Sequence, residues 1–213
     1  MKTISRENKT QRLALSGLLI ALAVILSLIK ILQLPYGGSI TLFGMVPVML
    51  LGYMYGVGWG LLSGFVFGII RAILGVTVSS ALAGQSVWGA IGVIALDYLV
   101  AFTVLGTAGI FRKTIKNPIV SFPLGCVVAS LLRLAAHFFS GLILFGQWAE
   151  WYFTQENFPA FGQTILEKYS GWGLSAIYSI IYNASFMIPE LILSVIAAVI
   201  LMSVKPIRKI CAE

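Results

Sequence analysis

The sequence has few charged residues and few of the side chains that enzymes use. Only 10% of its 213 residues are charged, and it contains two cysteines and one histidine. Because about 25% of the residues in a soluble domain are charged, this composition excludes a soluble domain and a disordered chain. Two cysteines are too few for a disulfide scaffold, and one histidine cannot form an HExxH zinc site.

Motifs for nucleotide hydrolysis and acyl transfer are absent as well. The sequence contains neither a Walker A loop nor a GxSxG turn. We therefore expect no enzyme activity, no metal and no cofactor, and any active transport would need an ATPase on another chain. Asp97 and Glu190 could suggest an intramembrane aspartic protease, but their estimated depths differ, and two carboxyl groups must adjoin to share a proton.

Long apolar runs are what the sequence does contain. Hydrophobic residues make up 59% of the chain, and the mean hydropathy is +0.99. A helix needs about 20 apolar residues to cross a bilayer, so the length allows about six spans. We predict an all-α integral membrane protein with one domain over residues 1–213 and spans near 13–32, 40–54, 57–74, 87–111, 119–145 and 174–204.

The distribution of basic residues predicts the orientation in the membrane. Ten Lys and Arg residues lie in the N-terminal segment, in the linker after span four and in the C-terminal tail. With six spans these three segments lie on one side, which the positive-inside rule makes the cytoplasmic side. The net charge of +7 is thus a topology signal and predicts no nucleic-acid partner. We expect both termini in the cytoplasm and a multi-pass protein of a bacterial plasma membrane.

Five ionisable side chains within the predicted spans are costly in hydrocarbon and mark candidate functional positions: Arg71, Asp97, Arg133, His137 and Glu190. Asp97, His137 and the amide of Asn183 lie roughly 13–15 Å from the outer ends of three different spans. Three helices that place polar groups at one depth predict a small polar pocket that opens outward.

The partners of these groups are left open by the sequence. Arg133 and His137 are four residues apart and share a helix face. Asp97 could form a structural salt bridge with Arg133 between spans four and five, or it could bind a ligand. We expect Glu190 to have a structural role, and Arg71 to extend its charged end toward the membrane surface.

Aromatic residues surround the outer mouth of the predicted pocket, among them Trp148, Trp151 and Tyr178. An interfacial belt explains most of them. Aromatic ring faces above an aspartate also suit a flat cationic ligand, because the rings attract the cation and the carboxylate neutralises it.

Small residues share a helix face in two of the predicted spans: Gly60, Gly64 and Gly68 in span three, and Ala14, Gly17 and Ala21 in span one. Such faces allow close helix approach in a membrane. We expect the glycines of span three to pack tightly inside the protein. The face of span one either packs internally or contacts a partner protein.

With these residues in place, the chain resembles the thiamine-specific S component of energy-coupling-factor transporters. The resemblance covers nearly the whole chain and rests on four motifs: Gly38-Ser39-Ile40-Thr41-Leu42 with Met45-Val46-Pro47, Leu96-Asp97-Tyr98-Leu99-Val100-Ala101-Phe102, Arg133-xxx-His137-xxx-Gly141, and Tyr178-Ser179-xx-Tyr182-Asn183 with Pro189-Glu190. No single motif is specific, but their order on a chain of this length is.

The resemblance implies a six-helix vitamin-capture subunit that assembles with a transmembrane coupling protein and two ATPases. The residues that match the family's binding positions are Asp97, Tyr98, Arg133, His137, Tyr178 and Asn183. Two positions depart from the family pattern: the acid is the shorter Asp97 instead of Glu, and Phe145 replaces a stacking Trp. Trp148, one turn further, is the predicted substitute for that Trp. The small face with Gly17 would contact the coupling protein.

Thiamine fits the chemistry of these residues. Asp97 and Asn183 can hydrogen-bond its aminopyrimidine edge, His137 and an aromatic ring can stack on its rings, and Tyr178 and Arg133 complete the polar wall. Two alternatives stay open: an S component for a pyrimidine precursor or riboflavin, and a stand-alone proton-coupled carrier. A carrier of that kind normally has two pseudo-symmetric halves, and the sequence shows no internal repeat.

Overall fold

The computed structural model describes residues 9–34, 38–78, 82, 84–156 and 159–212, and most of them are helical. The helices are α1 (Lys9–Leu28), α2 (Val46–Tyr55), α3 (Val57–Val78), α4 (Val87–Gly109), α5 (Pro118–Leu144), α6 (Ala149–Phe153), α7 (Pro159–Lys168), α8 (Gly171–Ser203) and α9 (Lys205–Ala212). Five of them, α1, α3, α4, α5 and α8, are long and apolar enough to cross a membrane. The fold is therefore consistent with an all-α membrane protein.

The first two predicted spans, 13–32 and 40–54, include residues 29–32 and 40–45, which are not helical. Helix α1 ends at Leu28, and strands β1 (Lys30–Gln33) and β2 (Ser39–Thr41) form an antiparallel hairpin. Helix α2 has only 10 residues, which is roughly 15 Å at the helical rise and half of the ~30 Å hydrocarbon core. An apolar run of this kind does not distinguish a strand from a helix. Among the described residues, five helices are thus long enough to span a membrane, and α2 is a shorter apolar helix.

The two ends of the described chain meet at one end of the bundle. Arg12 on α1 stacks over Trp59, 3.9 Å from the ring centroid, and hydrogen-bonds the Tyr55 carbonyl. Arg112, just after α4, donates to the Met54 carbonyl, and α9 packs against α2. We call this end, where Arg12, Arg112 and α9 meet, the basic end.

Glycines set the spacing between α2, α3 and α4. A Cβ added at Gly60 would lie 2.6 Å from the carbonyl oxygen and 2.8 Å from the Cα of Gly106. One at Gly68 would lie 2.8 Å from the carbonyl oxygen of Tyr98, and one at Gly64 would meet the backbone of Phe102 and Thr103. The predicted tight packing of this glycine face is confirmed, and it brings α4 into backbone contact with α3.

We predict that Gly60→Ala destabilises the protein by about 1–3 kcal/mol, because its methyl group would meet rigid backbone atoms of α4. Gly58→Ala is the matched control. A Cβ at Gly58 meets nothing within 4 Å, so alanine there should be neutral or gain up to about 1 kcal/mol. Thermal unfolding of the purified variants in detergent measures the difference. Equal melting temperatures for the two variants would contradict the packing argument.

Candidate functional site

A cavity of about 140 Å³ lies among α3, α4, α5, α8 and the hairpin segment at Gly38 and Ser39. It occupies the half of the bundle away from the basic end, since α5 begins at the basic end and contributes its second half. Six of the predicted binding residues line it: Asp97, Tyr98, Arg133, His137, Tyr178 and Asn183. A volume of this size accommodates roughly one aromatic ring.

Asp97 and Tyr98 enter the cavity from an irregular part of α4. Residues Ile94–Val100 form a π-helical segment, a wider turn that occurs frequently at functional sites. Neighbouring residues of a regular α-helix point about 100° apart, yet both side chains line this cavity. The wider turn therefore presents two adjacent polar side chains to one space.

Both carboxylate oxygens of Asp97 are engaged by α5. Its Oδ1 lies 2.7 Å from Nδ1 of His137, and its Oδ2 accepts a hydrogen bond of 2.5 Å from Oγ of Ser140. His137 and Ser140 are three residues apart and so share one helix face. The carboxylate is thus held in a fixed orientation at the wall of the cavity.

Arg133 pairs with Glu190, and the suggested salt bridge between Arg133 and Asp97 is wrong. Nη1 of Arg133 lies 2.7 Å from Oε2 of Glu190 on α8. Arg133 is one turn nearer the basic end than His137, and Glu190 is two turns nearer that end than Asn183. Arg133 therefore pairs with Glu190, which lies at the same depth, while Asp97 contacts His137 one helical turn away.

The hairpin segment forms one wall of the cavity and is attached to α8. The backbone N–H of Gly38 donates to the hydroxyl of Tyr182 at 2.9 Å. The backbone N–H and the hydroxyl of Thr41 both donate to Oε1 of Glu190, at 2.8 and 2.6 Å. A Cβ at Gly38 would lie 2.8 Å from the ring of Phe186, so only glycine allows this close approach.

Helices α5 and α8 are joined through Asn183, whose Nδ2 donates to the carbonyls of His137 and Ser179. Tyr178 and Asn183 are about 140° apart by helical angle, and both still line the cavity because Tyr182 lies between them. The rings of Tyr178 and Tyr182 stack with centroids 5.9 Å apart. The α8 side of the cavity is therefore an aromatic wall with an amide at its edge.

Comparison with known proteins identifies the family. The profile of a family described as thiamine transporter protein matches residues 13–151. The chain belongs to the thiamine transporter protein family. It is 29% identical over 214 aligned residues to the thiamine transporter ThiT of Bacillus subtilis (strain 168), covering 95% of this chain and 96% of that protein.

The fold agrees with that of a solved member of the same group. A structure of ThiT from Listeria monocytogenes superposes with a TM-score of 0.69 at 20% identity, over 96% of this chain and 99% of that chain. This member of the thiamine transporter protein family is thus a multi-pass cell-membrane protein in a family of transporters.

Phe145 lines the cavity, and Trp148 is absent from its described lining. Helix α5 ends at Leu144, and a 3₁₀ turn over Gly146–Trp148 follows. This turn places Trp148 against Trp151, with centroids 6.4 Å apart, and leaves it 42% exposed. The expectation that Trp148 replaces the family's stacking Trp assumed a continued helix, which the structure does not have.

Three polar residues that line the cavity are not among the predicted binding residues: Arg71, Ser140 and Tyr182. Helical spacing could have found two of them, since Ser140 is three residues after His137 and Tyr182 is four after Tyr178. Arg71 was expected at the membrane surface, but its Nη1 donates to Oγ of Ser27 on α1 at 2.9 Å. Nothing in the sequence indicates that contact.

Three buried nitrogen atoms of lining residues have no hydrogen-bond partner within the described part of the chain: Nε of Arg71, Nε of Arg133 and Nε2 of His137. A buried polar atom without a partner costs about 1–3 kcal/mol. A ligand that brings hydrogen-bonding groups into the cavity would recover part of that cost. Among the described residues, no three His, Cys, Asp or Glu side chains are placed to hold a metal ion.

We predict that Phe145→Ala weakens binding of the transported ligand at least about 10-fold, because it removes a ring from the cavity. Trp148→Ala removes a larger ring outside the lining and should change the dissociation constant less than about threefold. Isothermal titration calorimetry on both variants separates the two positions. A larger loss at Trp148 than at Phe145 would show that the ligand extends beyond the cavity to Trp148.

Proposed function

We propose that this protein is the substrate-capture subunit of an ATP-driven vitamin importer and that it binds thiamine in the cavity around Asp97. The observation that carries the proposal is a carboxylate fixed in a ring-lined cavity within the membrane-spanning helices. Thiamine joins an aminopyrimidine to a permanently cationic thiazolium, so it presents hydrogen-bonding edges, two flat rings and one positive charge. Carboxylates and aromatic faces are the groups that recognise such a cation.

Each lining residue has a proposed role in binding. Asp97 and Asn183 hydrogen-bond the aminopyrimidine edge, and His137 and Phe145 stack on the rings. The remaining polar wall is formed by Tyr98, Tyr178 and Arg133.

The proposed orientation places the basic end in the cytoplasm. The described part of that end carries basic residues before, between and after the spans, and the positive-inside rule puts such segments on the cytoplasmic side. Because the cavity lies in the opposite half of the bundle, it faces the outside, where a captured vitamin would arrive.

Helix α1 offers a surface for the proposed coupling protein. Ala14, Gly17 and Ala21 are exposed, and a Cβ at Gly17 would meet nothing within 4 Å. The buried side of α1 carries Ser16, Ala23 and Ser27 instead. Internal packing, one of the two readings of this small face, is therefore wrong, and a membrane partner that carries two ATPases is the occupant we propose.

We predict that Asp97→Asn weakens thiamine binding by about 1.5–3 kcal/mol, the range for a hydrogen bond to a charged group, or roughly 10- to 150-fold. The fold should survive, because Asn keeps the shape of the side chain. Tryptophan-fluorescence titration with thiamine measures the affinity, and melting curves without ligand test the fold. Glu150→Gln, which neutralises an exposed acid, is the control. A wild type that shows no fluorescence change at millimolar thiamine would rule out thiamine as the ligand.

We predict that Gly17→Leu abolishes ATP-driven thiamine uptake by cells that express the complete transporter and leaves binding to the purified subunit unchanged. The added side chain has free space within this chain, so it would clash only with a partner. Ser185→Leu adds similar bulk at an exposed position of α8 and should transport normally. Normal uptake by the Gly17 variant, or uptake by the wild type in liposomes without any ATPase, would overturn the coupling proposal.

A further inference from the structure

The charges around the cavity do not suit a cation unless a residue outside the lining is included. Arg71 and Arg133 both line the cavity, and Asp97 is the one carboxylate among the described lining residues. Two guanidinium groups against one carboxylate would leave this low-dielectric space with a net positive charge. Such a space repels a cationic ligand.

Glu190 lies directly behind Arg133 and supplies the missing negative charge. Its side chain is 3% exposed and that of Arg133 is 9% exposed, and their Oε2 and Nη1 atoms are 2.7 Å apart. The second oxygen of Glu190 accepts both hydrogen bonds from Thr41. Both carboxylate oxygens are thereby engaged, and Glu190 is not among the described residues that line the cavity.

The two acids serve separate partners on α5. Asp97 is bound to His137 and Ser140, and Glu190 is bound to Arg133, one helical turn away. Asp97 consequently does not have to neutralise Arg133. Its carboxylate lines the cavity together with Phe145 and Tyr178.

We propose that Glu190 determines the preference of this site for cations: it neutralises Arg133, so that a positively charged ligand meets the carboxylate of Asp97 without net repulsion. Glu190 acts through Arg133 and does not touch the ligand. The inference rests on the proposed function, in which the ligand is cationic thiamine.

The neutral isostere of thiamine, in which a carbon atom replaces the thiazolium nitrogen, separates charge from shape. The cation preference is the dissociation constant of the isostere divided by that of thiamine. At an effective dielectric constant of about 20, an uncompensated charge several ångström from the ligand changes this ratio roughly 10- to 100-fold. A residue that only supports the wall of the cavity changes both dissociation constants equally.

The experiment measures both dissociation constants by calorimetry for the wild type, Glu190→Gln, Arg133→Gln and the double variant. Glu190→Gln should lower the cation preference about 10- to 100-fold. Arg133→Gln should keep or raise it, and the double variant should return it to within about threefold of the wild type. Glu167→Gln, an exposed acid that is bonded only to Gln163, should leave it unchanged.

The outcomes distinguish this inference from the proposed function. Equal weakening of both ligands in Glu190→Gln, or a lowered cation preference in Arg133→Gln, overturns the role of Glu190 while thiamine binding stands. If Glu190→Gln does not fold, the Arg133→Gln and double variants decide by the same ratio. A wild type that binds neither ligand overturns the proposed function and this inference together.

Discussion

The ion pair between Arg133 and Glu190 is the contact on which the arrangement of the cavity depends. Neither charge is stable alone in a hydrocarbon environment, and breaking one partner of a buried pair leaves an uncompensated charge that costs about 3–5 kcal/mol. The pair joins α5 to α8, and the same carboxylate holds β2 through both hydrogen bonds of Thr41. Three distant segments of the chain therefore converge on the carboxyl group of Glu190. This one group fixes the positions of the hairpin wall and of Arg133.

The aspartate wall depends on a second constraint, the backbone contact between α3 and α4. The glycine face of α3 lets α4 approach to backbone distance at Gly106 and Tyr98. At that depth α4 has its π-helical segment, which turns Asp97 toward His137 and Ser140 and Tyr98 into the same cavity. The close contact between α3 and α4, which the glycines allow, thus accompanies the convergence of polar side chains around Asp97.

Much of the site could be predicted from the chain because depth along a helix follows from counting residues. Asp97, His137 and Asn183 were expected at one level and do line one cavity. Their role in ligand binding stays a prediction. Which acid pairs with Arg133 could not be predicted in the same way. By depth alone Arg133 lies within reach of Asp97, but the rotation of α8 brings Glu190 to Arg133 instead. The position of Phe145 in place of Trp148 depended on where α5 ends, since one 3₁₀ turn redirects every side chain after it.

By itself the sequence determined that this protein lies in a lipid bilayer and that it is helical. It also determined the approximate limits of the four long spans after residue 56 and the depth of the polar groups within the spans. These follow from local properties: apolar runs, helical rise and the cost of charge in hydrocarbon. Only the tertiary structure decided that Lys30–Gln33 pairs with Ser39–Thr41 beside the cavity, that Arg71 bonds Ser27 on α1, and which acid neutralises which base. Those outcomes depend on the rotation and neighbours of each helix, and side-chain contacts between different helices leave no periodic trace in the chain.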